Sequence, residues 1–298
     1  DVVQQNYFSP STWSRVQQMS DFSFIQMADP QFGLFASSSG KTVKEIAEFA
    51  ERGIILRRAR KIKGFRPETK LFTRAIERAN WLKPAFVVVC GDMVNEADNE
   101  EQIAEVKRIA ALLDDSIDLH WVPGNHDVAI DHKTPKQEFI NLYRKNFGPD
   151  YYAFSYGDVR FIVINSAVLT SPRAMVQESK QQIAFVEAEA IIAGQLNAKR
   201  IVLFSHHPLF VESADEEDNP WSIKKRYRKT LLEIAADHGI KVNFAGHWHR
   251  NNIAKDNGIQ VVASGPIGYP LGDDPSGFRI VKVTPKRIRH EYHSLETD

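Results

Sequence analysis

The sequence predicts an α/β fold with two mixed β-sheets flanked by helices, and three observations carry that expectation. Five short apolar runs recur, over residues 22–28, 85–90, 118–122, 200–204 and 241–245, most of them rich in Val, Ile and Phe. Their length and their β-branched and aromatic content favour strands. Stretches with helical spacing lie between most of them: 42–62 and 68–82, then 99–113, 181–192 and 223–238, the last stopping at Gly239. Strands that alternate with helices imply layers in which the strands are covered on both faces. Finally, residues 151–156 and 160–164 flank Gly157-Asp158 and read as a hairpin. A last group of strands is expected at 259–263, 278–283 and 287–292, with Pro285-Lys286 as the turn between the final two.

Composition narrows the function. Lys and Arg number 38 against 38 Asp and Glu, so no global basicity points to a nucleic-acid polymer or an anionic membrane as partner. Hydrophobic residues make up 43% of the 298, enough to bury a core without staples. Cys90 is the only cysteine, so neither an intramolecular disulfide nor a thiolate metal cluster can form. A cytoplasmic location is expected on that ground. No apolar run approaches the roughly 20 residues that span a bilayer. The sequence opens at Asp1 rather than Met, so a start segment is expected to be missing, which leaves secretion open. Residues 1–20 read as an irregular lead-in. Residues 21–298 hold no internal repeat and no Gly/Ser linker, and read as one domain.

Each of the five strands leads into side chains that bind metals. The first gives Asp29-Pro30-Gln31 and the second Gly91-Asp92. The third gives Gly124-Asn125-His126-Asp127, the fourth Ser205-His206-His207-Pro208, and the fifth Gly246-His247-Trp248-His249. In open α/β sheets the carboxyl ends of strands converge on the ligand crevice, so five such ends can face one cavity. Singly, Asp-Pro or Gly-Asp after a strand is an ordinary turn. Five such turns in order, carrying only oxygen and nitrogen ligands, are not explained that way.

This order of blocks resembles the calcineurin-like metallophosphoesterases, over nearly the whole chain from Phe22 to Leu295. It is most similar to the branch of cytoplasmic calcineurin-like phosphoesterase-domain serine/threonine protein phosphatases. Asp29-Pro30-Gln31-Phe32-Gly33-Leu34, His206-His207-Pro208-Leu209-Phe210 with its acidic sequel, Gly246-His247-Trp248-His249-Arg250-Asn251 and the ending over 277–295 carry that likeness. The resemblance implies a four-layer sandwich and two divalent ions drawn from Mn, Mg, Fe and Zn. Asp92 would bridge the ions, Asp29 and His249 would complete the first, and Asn125, His206 and His247 would hold the second. A bridging hydroxide would attack the phosphorus in line, and His126 would protonate the leaving group. His207 would support these ligands, or touch a metal in place of His206.

The implied activity is hydrolysis of phosphomonoesters, on phosphoserine and phosphothreonine in proteins or on a small phosphoester. The same ligands would serve a phosphodiesterase of cyclic nucleotides or small diesters. A third reading is a binding module that keeps the fold with weakened catalysis.

Two positions depart from the family pattern. Gln31 stands where most relatives carry a histidine, and its neutral carbonyl oxygen is a weaker ligand, better suited to Mg or Mn than to Zn. Asn95 stands where phosphatases with a His–Asp acid pair carry the aspartate, and an amide orients an imidazole without stabilising its charge. Position 95 also speaks against purple acid phosphatases, which place a tyrosine ligand there. On the substrate side, Arg250 would meet a phosphate oxygen. The acidic loop over 212–221 would form a rim that selects basic phosphopeptides, or a solvated surface. The basic run over 57–63 is expected on a helix as a solvated face, and Cys90 as buried packing.

Overall fold

Strands form where the apolar runs stand. The computed structural model describes residues 21–130, 133–171 and 173–296, so the lead-in expected over 1–20 lies outside the described residues. Strands β1 (Phe22–Met27), β2 (Phe86–Cys90) and β3 (Asp118–Val122) come first. A turn through Gly157 (φ 58°) then joins β4 (Tyr152–Tyr156) to β5 (Val159–Val163) as the expected hairpin. Next come β6 (Arg200–Phe204), β7 (Ile240–Ala245), β8 (Asn252–Asp256) and β9 (Ile259–Ala263). Strands β10 (Gly277–Val283) and β11 (Ile288–Ser294) follow.

They form two sheets, ordered β11-β10-β1-β2-β3 and β4-β5-β6-β7-β9-β8. In the first, β1, β2 and β3 run parallel and β10 pairs antiparallel with β1. In the second, β5, β6, β7 and β9 run parallel, with antiparallel edges at β4 and β8. The C-terminal strands, expected as one group, are thus shared between the sheets.

Helices fill the connections: α1 (Leu34–Ser38), α2 (Val43–Glu51), α3 (Arg66–Leu82), α4 (Glu100–Ala110) and α5 (Asn125–Val128) in the first half. The second half adds α6 (Gln137–Phe147), α7 (Ala167–Thr170), α8 (Val176–Gln195) and α9 (Lys225–His238). Thr42 starts α2 with a capping box, its hydroxyl accepting from Glu45 N while the Glu45 carboxylate accepts from Thr42 N.

The expected helix over 42–62 ends at Glu51, and the basic run beyond it is not helical. Gly53 turns the chain at φ 76°. After it the backbone groups are taken by other segments: Arg57 N donates to Tyr269 Oη, Gly40 N to Ala59 O and Ile62 N to Ser39 Oγ. Tertiary partners outcompete the helix ladder there.

Alternation along the strands builds two cores. Phe24 of β1 and Phe86 of β2 stack with centroids 4.8 Å apart. Phe24 also meets Phe161, Phe204 and Phe244 of the second sheet edge-to-face at 5.7, 5.7 and 5.8 Å. This phenylalanine layer fastens sheet to sheet, each aromatic pair adding about 0.5–1.5 kcal/mol beyond burial. The alternate residues Ile25 and Met27, with Val87 and Val89, belong to the other core, which includes Phe72 and Ile76 of α3 and Val106 of α4. With both faces covered, all five residues of β2 are buried, and the fold is a helix–sheet–sheet–helix sandwich. No helix among the described residues is long and apolar enough to cross a membrane.

Candidate metal centre

The site begins where the parallel strands stop. Past β1 and β2 the chains keep exchanging backbone bonds, Asp29 N to Gly91 O at 3.0 Å and Gln31 N to Asp92 O at 2.8 Å, which sets Asp29 beside Asp92. From the second sheet, Gly246 N donates to His206 O at 2.9 Å, which holds the β6 and β7 loops together.

Turning side chains inward costs backbone strain. Of eight non-glycine residues with positive φ among the described residues, five are Asp29 (50°), Gln31 (36°), Asp92 (52°), His247 (67°) and His249 (52°). Each such conformation costs roughly 1–3 kcal/mol and persists where the surroundings over-determine it, typically at functional sites. Two glycines allow the close approach: a Cβ on Gly124 would overlap Asp92 Oδ1, and one on Gly246 would overlap Asp29 Oδ2.

Three imidazoles share one arrangement. His206 Nδ1 lies 2.9 Å from Cys90 O, His247 Nε2 lies 3.0 Å from Pro220 O, and His249 Nδ1 lies 2.6 Å from Tyr269 O. A carbonyl only accepts, so each of these nitrogens carries a proton, and in the neutral ring the opposite nitrogen presents a lone pair. His206 Nε2 then faces Asn125 Oδ1 at 3.0 Å, His247 Nδ1 at 3.1 Å and Asp92 Oδ2 at 3.3 Å. His249 Nε2 faces Asp29 Oδ1 at 3.2 Å.

Lone pairs thus meet lone pairs and carboxylates in a buried place. A cation resolves that conflict, and imidazoles fixed by backbone carbonyls are the usual supports of metal sites. Ligand atoms of Asp29, Asp92 and His206, and of His206, His207 and His247, lie within 4.8 Å of one another in each group. This set of carboxylate, amide and imidazole donors fits divalent ions such as Zn, Mn or Fe.

The electrostatics tell the same story in protons. Burial pushes His206 down, but the Asp92 and Asp29 carboxylates and the Cys90 carbonyl together more than offset it and raise the ring to about 9. Burial and the neighbouring His206 charge push His247 down to about 3. Burial alone would raise Asp92, yet His206 and His126 hold it well below the usual carboxylate range. His206 and, beside Asp29, His249 are drawn towards the charged form, while His247 and His207 resist it.

Gln31 is buried beside this cluster. Its Nε2 donates weakly to Asn95 Oδ1 at 3.4 Å, and its buried Oε1 has no hydrogen-bond partner. An acceptor left without a donor suits a cation or its water shell.

His126 is oriented by the main chain of position 95 rather than by its side chain, Nδ1 lying 2.9 Å from Asn95 O. Its own N–H donates to Asp92 Oδ1 at 2.9 Å. Asp127 does different work: its buried carboxylate accepts from Asp92 N, Met93 N, Val94 N and Gly124 N at 2.7–3.3 Å. Burial and the Asp92 charge push it up to about 7 against the pull of these N–H groups. Asp127 thereby fixes the loop that carries Asp92.

His207 differs from the three lone-pair histidines. Its Nδ1 meets Ser166 Oγ at 3.0 Å, and a hydroxyl accommodates either tautomer. Arg250 follows the last histidine but turns aside, its Nε donating to Leu271 O at 3.0 Å and its Nη2 to Gly53 O at 2.6 Å. Cys90 is fully buried and pushed up to about 12 by burial, which removes it as a nucleophile.

The acidic loop is organised internally. Glu216 accepts from Glu212 N, Asn219 Nδ2 and Ser222 Oγ and pairs with the buried Arg228. What the loop offers the site is Pro220 O and the Trp221 ring, 5.8 Å from that of His247. Sequence reasoning missed the carbonyls of Cys90, Pro220 and Tyr269, because a backbone group has no signature in the residue type that bears it.

Known proteins resemble this chain in sequence and in fold. Residues 24–251 match the family described as calcineurin-like phosphoesterase. Serine/threonine-protein phosphatase CPPED1 of Homo sapiens is 34% identical over 283 residues, covering 92% of this chain and 84% of that protein. The Danio rerio protein of the same name is 32% identical over 282 residues, covering 92% and 85%. Among solved structures, a dimetal phosphatase from Danio rerio superposes with a TM-score of 0.62 at 15% identity, covering 91% of this chain and 95% of that one. A purple acid phosphatase from yellow lupin seeds gives 0.60 at 14% identity, covering 93% and 52%. At those identities the two structures speak for the fold.

Proposed function

The chain belongs to the calcineurin-like phosphoesterase family, and from that premise we propose that it hydrolyses phosphomonoesters, with phosphoserine and phosphothreonine in proteins as its substrate class. The phosphoesterase activity follows from the family. The protein substrate draws its support from relatives named serine/threonine-protein phosphatase that align with 92% of the chain.

The observation that carries the reading is the set of three imidazoles, with His206 Nε2 facing Asn125, Asp92 and His247 Nδ1, and His249 Nε2 facing Asp29. Asp92 would serve two divalent ions, with Asp29 and His249 completing one and Asn125, His206 and His247 the other, and with Gln31 beside the first. When bound, such ions polarise phosphoryl oxygens and make water a competent nucleophile near neutral pH.

The protein's own groups supply the rest. Cys90, Pro220 and Tyr269 hold the rings in the ligand tautomer through their carbonyls. His126, half-buried and anchored through Nδ1 to Asn95 O, would in its protonated form pass the Nε2 proton to the leaving alkoxide. Asp127 keeps the Asp92 loop in register while charge changes beside it.

The test is steady-state hydrolysis by Mn-loaded protein of p-nitrophenyl phosphate, its bis-ester, and phosphoserine and phosphothreonine peptides. The expected result is preference for the monoesters, with Asp92→Asn slower by at least about a hundredfold, as for loss of a group that stabilises developing charge. Faster turnover of the bis-ester would replace this reading with the phosphodiesterase. Absence of hydrolysis, with Asp92→Asn indistinguishable from wild type, would leave a binding module.

A further inference from the structure

Beside the His207 and His247 rings lies a cavity of about 350 Å³ that also touches Asn125. The loop before α9 closes one side with Pro220 and Trp221, and His247 Nε2 bonded to Pro220 O ties that wall to the metal centre. Lys133, from the segment between α5 and α6, and Lys224, at the N-cap of α9, line the same space, where Lys224 Nζ donates at 3.5 Å to Asn219 O. Among the described residues that line it there is no carboxylate.

Four acidic residues of the neighbouring loop are turned to other groups. Glu216 is held by backbone N–H groups, Ser222 and Arg228. Asp218 accepts from Lys225 N at 2.6 Å, and Glu217 pairs with Lys225 Nζ at 2.8 Å. Asp215 borders a separate cavity with Lys225 and Lys229. The loop reads as acidic in sequence, yet among the described residues the lysine and arginine or carboxylate side chains lining this cavity are Lys133 and Lys224 alone.

We propose that this cavity reads a second negative charge on the substrate, so that the enzyme prefers phosphopeptides with an acidic side chain next to the phosphorylated residue. The inference rests on the phosphomonoesterase reading and names the substrate class within it. A phosphoryl group at the centre places its adjoining residue within reach of the space between Trp221 and the two lysines. A carboxylate there meets Lys133 and Lys224, whereas a basic side chain meets like charge. Trp221 offers an apolar face to the intervening chain. The lysines are specificity residues and take no part in bond breaking.

The experiment compares two phosphoserine peptides that differ only in Glu or Lys at the position following the phosphoserine, with p-nitrophenyl phosphate as the reference substrate. Wild type, Lys224→Glu and Lys133→Glu are assayed in parallel. In wild type the Glu peptide is expected to show the higher kcat/KM, by roughly fivefold for each lysine engaged, the upper range for a partly exposed ion pair. Each charge reversal should bring the ratio of the two peptides to unity or below. Lys133→Glu lies away from the α9 cap and keeps the test decisive if Lys224→Glu does not fold.

Equal turnover of both peptides by wild type, or a ratio that neither variant moves, overturns the inference while leaving the phosphomonoesterase reading intact. Loss of hydrolysis of all three substrates by metal-loaded wild type overturns both.

Discussion

His206 Nε2 and His247 Nδ1 stand 3.1 Å apart, and in the neutral tautomers set by Cys90 O and Pro220 O neither nitrogen carries a proton. Two lone pairs at that distance repel unless a positive charge lies between or beside them. A proton on His206 or a divalent ion relieves that repulsion, and the ion does so for both rings at once. Stripping metal with a chelator should lower the Tm, and Mn²⁺ or Zn²⁺ should restore it with a dependence on concentration. At a free-ion concentration of a hundred times Kd the gain is about 2.7 kcal/mol for one site. A Tm unmoved by either treatment would mean that His206 is simply protonated, as its raised value of about 9 would then explain.

Asp127 predicts a stability effect without any part in chemistry. Its two oxygens take four backbone N–H groups, Oδ2 from Asp92 and Gly124 and Oδ1 from Met93 and Val94. Asp127→Asn replaces one oxygen by an NH₂ that faces two donors. Leaving buried donors unsatisfied costs about 2–4 kcal/mol here. Denaturant unfolding should show that loss, and activity should fall through displacement of Asp92. A midpoint equal to wild type would show that the loop does not depend on this carboxylate.

A pH effect separate from the metal centre resides in His120. Its ring stacks on Phe154 at 3.7 Å, and burial, opposed by Asp118, pushes it down to about 4. The unfolded chain takes up that proton near pH 6.5, while the folded chain does not until about 4. Between those values the unfolded state binds more protons, so stability falls as pH falls from 6.5 towards 4 and the loss levels off below. His120→Phe keeps an aromatic ring against Phe154 and removes the titration. Thermal melts across pH 4–7 should therefore descend more steeply in wild type than in the variant, and parallel curves would refute the assignment.

The strands that carry Asp29, Asp92, His206 and His247 are legible in the sequence because a strand covered on both faces has to be a nearly continuous apolar run, while β3, which leads to Asn125, is an edge strand that buries only Val122. Their observed ends fall within a residue of the expected ones. Strand β8, Asn-Ile-Ala-Lys-Asp, escapes such reading because it is a mostly polar edge strand that buries only Ala254. The run over 57–63 reads as helix from its composition, yet the chain there bonds to Tyr269 and Ser39, partners more than twenty residues away that local propensity does not contain. The same limit applies within the site. Residue types reveal Gln31, Asn95 and Arg250 as positions of interest, but the main-chain oxygen of Asn95 and the carbonyls that hold Arg250 emerge only with the fold.

That distinction matters most for His126. The ring is anchored by Asn95 O, a main-chain atom, so Asn95→Ala leaves the anchor in place and removes only the weak contact with Gln31. If His126 is the general acid, its loss should hurt in proportion to how much the leaving group needs a proton. His126→Ala should slow hydrolysis of a phosphoserine peptide by about 10²–10⁴-fold, the range for a positioned general acid. It should slow p-nitrophenyl phosphate far less, because p-nitrophenolate departs readily without protonation. Asn95→Ala should retain that leaving-group pattern and most of the peptide activity. Equal losses on both substrates in His126→Ala would assign the residue to binding the phosphoryl group or shaping the Asp92 loop, to which its backbone N–H already donates.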